Sequence, residues 1–76
     1  MKEKEFLNDF SKRLRRLMYN ANMTQVELSE KTCLSRMTIY RCLQGSKMPS
    51  LDTFVNLVVA LDVDPRELAN LYWRID

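Results

Sequence analysis

Seventy-six residues with 46% hydrophobic content make one small domain and leave no room for a second. One glycine, two prolines and no apolar run of about 18 to 20 residues exclude glycine-rich hairpin sheets and a membrane-spanning helix, so the expected class is all-α. The net charge of +2 hides a division: residues 1–50 carry ten Lys and Arg against five Asp and Glu, and residues 51–76 carry two against five.

A basic half on a small domain points to a polyanionic partner. The opening MKEKEFLNDF has charges where a signal peptide has its apolar segment, so a cytoplasmic, nucleoid-associated location is expected and no membrane partner. Two cysteines without a histidine cannot complete a four-ligand zinc site, and a reducing cytosol argues against a disulfide. Cys33 and Cys42 therefore read as small apolar residues, and no metal or other cofactor is expected.

The first helix is expected over about Glu5 to Tyr19. Phe6, Phe10, Leu14, Leu17 and Met18 recur there at three- and four-residue steps, with Lys12, Arg13, Arg15 and Arg16 mostly off that stripe. NANM breaks the pattern. Thr24, with Glu27 three residues on, forms a capping box that opens a short second helix ending near Thr32. Ser35 caps a third helix from Arg36 to Gln44, and the chain's only glycine, Gly45, suits the left-handed residue that closes it.

Ser50 caps a fourth helix, in which Leu51, Phe54, Val58 and Leu61 form the expected buried stripe. Val55, Leu57 and Val59 widen that stripe to a nearly all-round apolar surface, so this helix is expected to be central. Asp64, Pro65 and Glu67 supply an N-cap, a first-turn proline and a capping-box acid for a fifth helix through Leu68, Leu71 and Tyr72. The whole, residues 1–76, is read as a single domain with its two-helix centre over about residues 24–44.

At about 100° per residue, Ile39, Cys42 and Leu43 fall on one side of the third helix. Arg36, Met37, Tyr40, Arg41 and Gln44 fall on the other, with Thr38 at the border. The open side holds two guanidinium groups, a phenol, an amide and a thioether, and no carboxylate. That set suits the major groove of double-stranded DNA: arginine donates twice to guanine O6 and N7, glutamine pairs with adenine, and methionine meets a thymine methyl. A short preceding helix joined by a tight turn is what presents such a helix to the groove.

These residues are carried in MTQVELSEKTCLSRMTIYRCLQGSKMPSLDTFVNLVVALDVDPREL, Met23 to Leu68, which resembles the helix-turn-helix domains of the Cro/repressor family, also called the XRE family, with the lambda-repressor-like fold. The motifs are Thr24-Gln25 with Leu28 opening the second helix, the Ser35 cap, Ile39, the Gly45 turn, Pro49 and Ala60-Leu61. The resemblance implies a five-helix domain whose third helix enters the major groove. It implies base contacts from Arg36, Met37, Arg41 and Tyr40. It implies phosphate contacts from Gln25 and Thr24 at the second helix, from Ser35, Thr38 and Gln44 around the third, and from Ser46 and Lys47 in the following loop. Base contacts specify and phosphate contacts mainly position.

Three departures from the family pattern bear on this. Cys33 stands where the family has a turn glycine, so it is expected in a left-handed conformation. Met18 and Leu43 replace an arginine and glutamate that pair across the first and third helices. Losing both charges together avoids a buried unpaired one, and a Met18–Leu43 core contact is expected. At the C-terminal end Trp73 and Val63 are expected to contribute to a homodimer.

The resulting expectation is a sequence-specific transcriptional regulator, a repressor acting as a homodimer on a palindromic operator in a bacterium, phage or mobile element, with no small-molecule ligand. The alternative of another class is a protein-interaction module of the same fold, an antitoxin or antirepressor. Arg36 and Arg41 argue against it. Catalysis is not expected: there is no histidine, no phosphate-binding glycine loop, and Asp62, Asp64 and Glu67 are accounted for by a turn and a cap.

Overall fold

The computed structural model describes residues 3–69, and its regular structure there is five α-helices with no strand. They are α1 (Glu3–Asn20), α2 (Gln25–Thr32), α3 (Arg36–Gln44), α4 (Leu51–Leu61) and α5 (Pro65–Leu68). Among the described residues no helix is long and apolar enough to cross a membrane. α1 packs against α3 and α5, α2 against α3 and α4, and α4 against α5.

The local signals act as expected where they lie within one turn of chain. Thr24 and Asp64 each form a capping box with the glutamate three residues on, and Ser35 and Ser50 each accept from the backbone N–H three residues on. α1 begins two residues earlier and ends one later than the apolar stripe predicted. Phe10, Leu14 and Met18 are buried in it, and Phe6 and Leu17 are partly so.

Ser11 was not expected inside, yet it is 3% exposed. Its hydroxyl donates to the Asn8 carbonyl at 3.0 Å, which satisfies the buried oxygen. A small side chain is needed there because the turn after α3 crosses α1 closely. A Cβ built on Gly45 would lie 3.0 Å from the Leu7 carbonyl oxygen and 3.3 Å from Ser11 Oγ.

The core joins Phe10, Leu14 and Met18 of α1 to Leu28, Ile39, Cys42, Leu57, Leu61 and Leu68. Phe10 stacks with Phe6 at 6.0 Å between ring centroids and lies 6.3 Å from a tilted Phe54, so one ring ties α1 to α4. Arg13 ties α1 to α5. Its Nε is 2.8 Å from Asp9 Oδ2, and its Nη1 donates to the Arg66 and Glu67 carbonyls at 3.4 and 3.5 Å, groups that a helix end leaves without partners.

α4 departs from the expected burial. Its inward residues are Thr53, Leu57 and Leu61, with Phe54 and Val58 only partly buried, while Leu51, Val55 and Val59 are 78%, 48% and 72% exposed. With only Asp52, Thr53 and Asn56 interrupting it, the apolar arc of α4 is wide enough to be buried about more than one direction. The tertiary packing chose a face that includes Thr53, whose hydroxyl is already committed to Ser50 Oγ at 3.0 Å. α4 is thus half covered rather than central, and it leaves an apolar stripe open.

α5 is also shorter than expected, because Ala69 is extended at φ −140° and ψ 142°. Leu71 and Tyr72, assigned to this helix from the sequence, lie outside the described residues, as does Trp73.

Candidate nucleic-acid interface

The second helix begins at a closed capping box. Thr24 N–H donates to Glu27 Oε1 and Glu27 N–H to Thr24 Oγ1, both at 3.1 Å. Glu27 is thereby held in the cap, and Thr24 and Gln25 stand exposed at the start of α2.

The turn that follows α2 is made by Cys33 at φ 60° and ψ 19°. The cysteine does adopt the left-handed conformation for which glycine is the usual choice. Thr32 braces the turn: its buried hydroxyl donates to the Leu28 carbonyl at 2.7 Å and accepts from the Leu34 N–H at 3.2 Å. Ser35 then starts α3 with its Oγ accepting from Thr38 N–H at 3.1 Å and sitting 2.9 Å from Thr38 Oγ1. Two turns of local hydrogen bonding thus set the angle between α2 and α3.

Ile39, fully buried, and Cys42, 3% exposed, anchor α3 to the core. Burial pushes the Cys42 thiol above its ordinary range, so it stays protonated at neutral pH. Leu43 is half-buried, and it lines a groove together with the buried Met18. Arg36, Met37, Tyr40, Arg41 and Gln44 are exposed, with Met37 and Tyr40 at 56% and 47%, and Thr38 is intermediate. Five large side chains of a nine-residue helix therefore stand out on one side.

Gln44 Nε2 donates to the Tyr40 hydroxyl at 2.7 Å, coupling two of them. Arg36, Arg41 and Lys47 make no ion pair among the described residues.

Gly45 ends α3 at φ 66°, with the Gly45 and Ser46 N–H groups returning to the Cys42 and Arg41 carbonyls at 3.2 Å. Ser46 and Lys47 are exposed immediately beyond, and Ser46 Oγ donates to the Arg41 carbonyl at 3.4 Å. Thr38, Arg41, Lys47 and Ser50 line a cleft of about 250 Å³ between the end of α3 and the start of α4. The structure thus sets Gln25 beside Tyr40 and Gln44 of α3, and Lys47 beside Thr38 and Arg41 of the same helix. Val63, half-buried beyond α4, is remote in sequence from that surface and packs against the core.

One cation was missed by reasoning from sequence. Arg15 of α1 lines the same groove as Gln25, Tyr40 and Gln44. Helical phase put it off the buried stripe with Lys12, Arg13 and Arg16, and only the packing of α1 on α3 separates it from them.

Comparisons with known proteins agree with this geometry. A family model described as "Helix-turn-helix domain" matches residues 9–71. The crystal structure of the restriction-modification controller protein C.AhdI from Aeromonas hydrophila is similar at a TM-score of 0.77 and 34% identity, covering 82% of this chain and 94% of that one. Comparison with curated proteins returned no match. With most of its length matched and its cationic third helix presented outward, the chain belongs to the helix-turn-helix domain family, of the Cro/XRE type, and is a DNA-binding transcription regulator.

Proposed function

We propose that the chain is a sequence-specific repressor that binds a palindromic operator as a homodimer, with α3 in the major groove and half-sites about one helical turn apart. The observation that carries this reading is the open side of α3: Arg36, Met37, Tyr40, Arg41 and Gln44 exposed together on a helix pinned from behind by Ile39 and Cys42. Arg36, Arg41, Met37 and Tyr40 read base edges. Gln25 and Thr24 at the start of α2, Ser35, Thr38 and Gln44 around α3, and Ser46 and Lys47 after it hold the phosphates that fix its register. The unit spans residues 1–76, with its helix-turn-helix centre at about 24–44.

The dimer draws support from the exposed stripe Leu51, Val55 and Val59 of α4. Contiguous exposed apolar groups of this kind mark interaction surfaces. Val63 lies two residues beyond α4, and Trp73 is the further contact assigned from the sequence. Repression follows from occupancy of DNA by a chain whose described residues hold no effector module. The function needs no cofactor, metal, small-molecule ligand or catalytic step, and it places the protein in the cytoplasm with the nucleoid.

Selection of bound sequences from a random duplex library tests it. The expected product is a two-fold-symmetric motif with guanine at the arginine-read positions. Recovery without enrichment, or an asymmetric motif, contradicts the operator and the dimer respectively.

A further inference from the structure

Of the five cations of α1, the four beyond its first turns divide between two sides of the helix. Lys12, Arg13 and Arg16 gather with Asp9, and Arg13 and Arg16 border Asp64 and Glu67 of α5. Arg15 alone turns toward α2 and α3, where it shares a groove with Gln25, Tyr40 and Gln44 above a floor that includes Met18 and Leu43. No carboxylate lines that groove. Lys12, Arg13 and Arg16 share their pockets with acids, whereas Arg15 makes no ion pair among the described residues.

Arg15 is exposed, and its bonds within α1 are long: Nε to the Ser11 carbonyl at 3.4 Å and Nη2 to Ser11 Oγ at 3.5 Å. They use two of five guanidinium donors and leave the fork open to a doubly accepting group. The rim adds a second donor. Because the Tyr40 hydroxyl accepts from Gln44 Nε2 at 2.7 Å, its own proton is directed elsewhere. The apolar floor supplies no competing base.

We infer that Arg15 binds a backbone phosphate of the DNA strand flanking α3, as a positioning residue outside the base-reading set. The inference rests on the DNA-binding reading above. A phosphodiester fits the groove's chemistry: one negative charge, two free oxygens for a guanidinium fork, and no donor of its own to clash with the Tyr40 proton.

Fluorescence anisotropy with a labelled duplex, at KCl from about 50 to 200 mM, tests this on a random-sequence duplex and on the selected operator. Arg15→Ala is expected to lower affinity on both by a similar factor of about five to ten at the lowest salt, and to reduce the slope of log affinity against log salt by about 0.9. Arg15→Lys keeps the slope, and Arg16→Ala leaves it unchanged. A wild-type slope in Arg15→Ala, an equal loss in Arg16→Ala, or an Arg15→Ala effect confined to the selected operator would overturn the assignment. Absence of salt-dependent binding by the wild-type chain itself would remove the DNA reading before any variant is compared.

Discussion

Gly45→Ala tests the contact that holds the C-terminal turn of α3 on α1. Gly45 has φ +66°, where an L-residue carries strain of about 1–2 kcal/mol, of which about 0.5 kcal/mol is offset by the stiffer unfolded chain. The new methyl would also lie 3.0 Å from the Leu7 carbonyl oxygen, a backbone atom within α1 that cannot swing aside. Overpacking of this kind adds about 1–3 kcal/mol, so the total expected loss is about 1.5–4.5 kcal/mol. For a domain of this size, at about 4–8 °C per kcal/mol, that lowers Tm by at least about 6 °C. Urea denaturation followed by far-UV circular dichroism measures it, with the midpoint falling and the denaturant slope unchanged. Cys33→Gly is the control of opposite sign: it removes left-handed strain at φ 60° and is expected to raise stability by up to about 1 kcal/mol. A loss under about 0.5 kcal/mol for Gly45→Ala would mean that the α3 turn does not rest on α1.

Further expectations concern the thiols, the acid range and self-association. Cys33 is exposed and Cys42 buried with its thiol pKa raised, so an alkylating reagent near neutral pH should modify one thiol per native chain and the second only on unfolding. Equal rates at both would contradict the packing of α3. The Asp64 carboxyl is held below the usual aspartate range, first by the hydrogen bond from the Arg66 side chain and then by the Arg66 N–H. A depressed folded pKa contributes stability above the unfolded value of about 3.9 and loses it as pH falls through the folded one, so the Tm difference between wild type and Asp64→Asn should shrink below about pH 4. A constant difference would show that the cap does not depend on the charge. Val59→Asp places a charge on the open α4 stripe and should weaken self-association about tenfold or more in sedimentation equilibrium, with the helical spectrum unchanged. Unaltered association would move the dimer contact off α4.

What was legible in the sequence was what local chemistry decides. Each capping residue acts within three positions of itself, so Thr24, Ser35, Ser50 and Asp64 could be assigned without knowing the packing. The open side of α3 was legible because polar and apolar residues alternate there at helical spacing. α4 lacks that contrast: the stripe expected inside began at Leu51, which is 78% exposed, and the polar Thr53 went inside with its hydroxyl tied to the cap. Ser11 under Gly45, and Arg15 beside α3, depend on where α1 crosses its neighbours, over sequence separations that no local pattern carries.

On the proposed reading the open side of α3 reads bases while the loop after it holds phosphate. The most direct measurement compares base-preference profiles of the wild type, Arg36→Ala and Lys47→Ala after selection from one random duplex library, with affinities at fixed salt. Arg36→Ala is expected to lose about 1–3 kcal/mol on the preferred site and to relax preference at one base pair per half-site, while Lys47→Ala weakens all sequences about equally and keeps the motif. An Arg36→Ala chain that keeps both the motif and the affinity would contradict it.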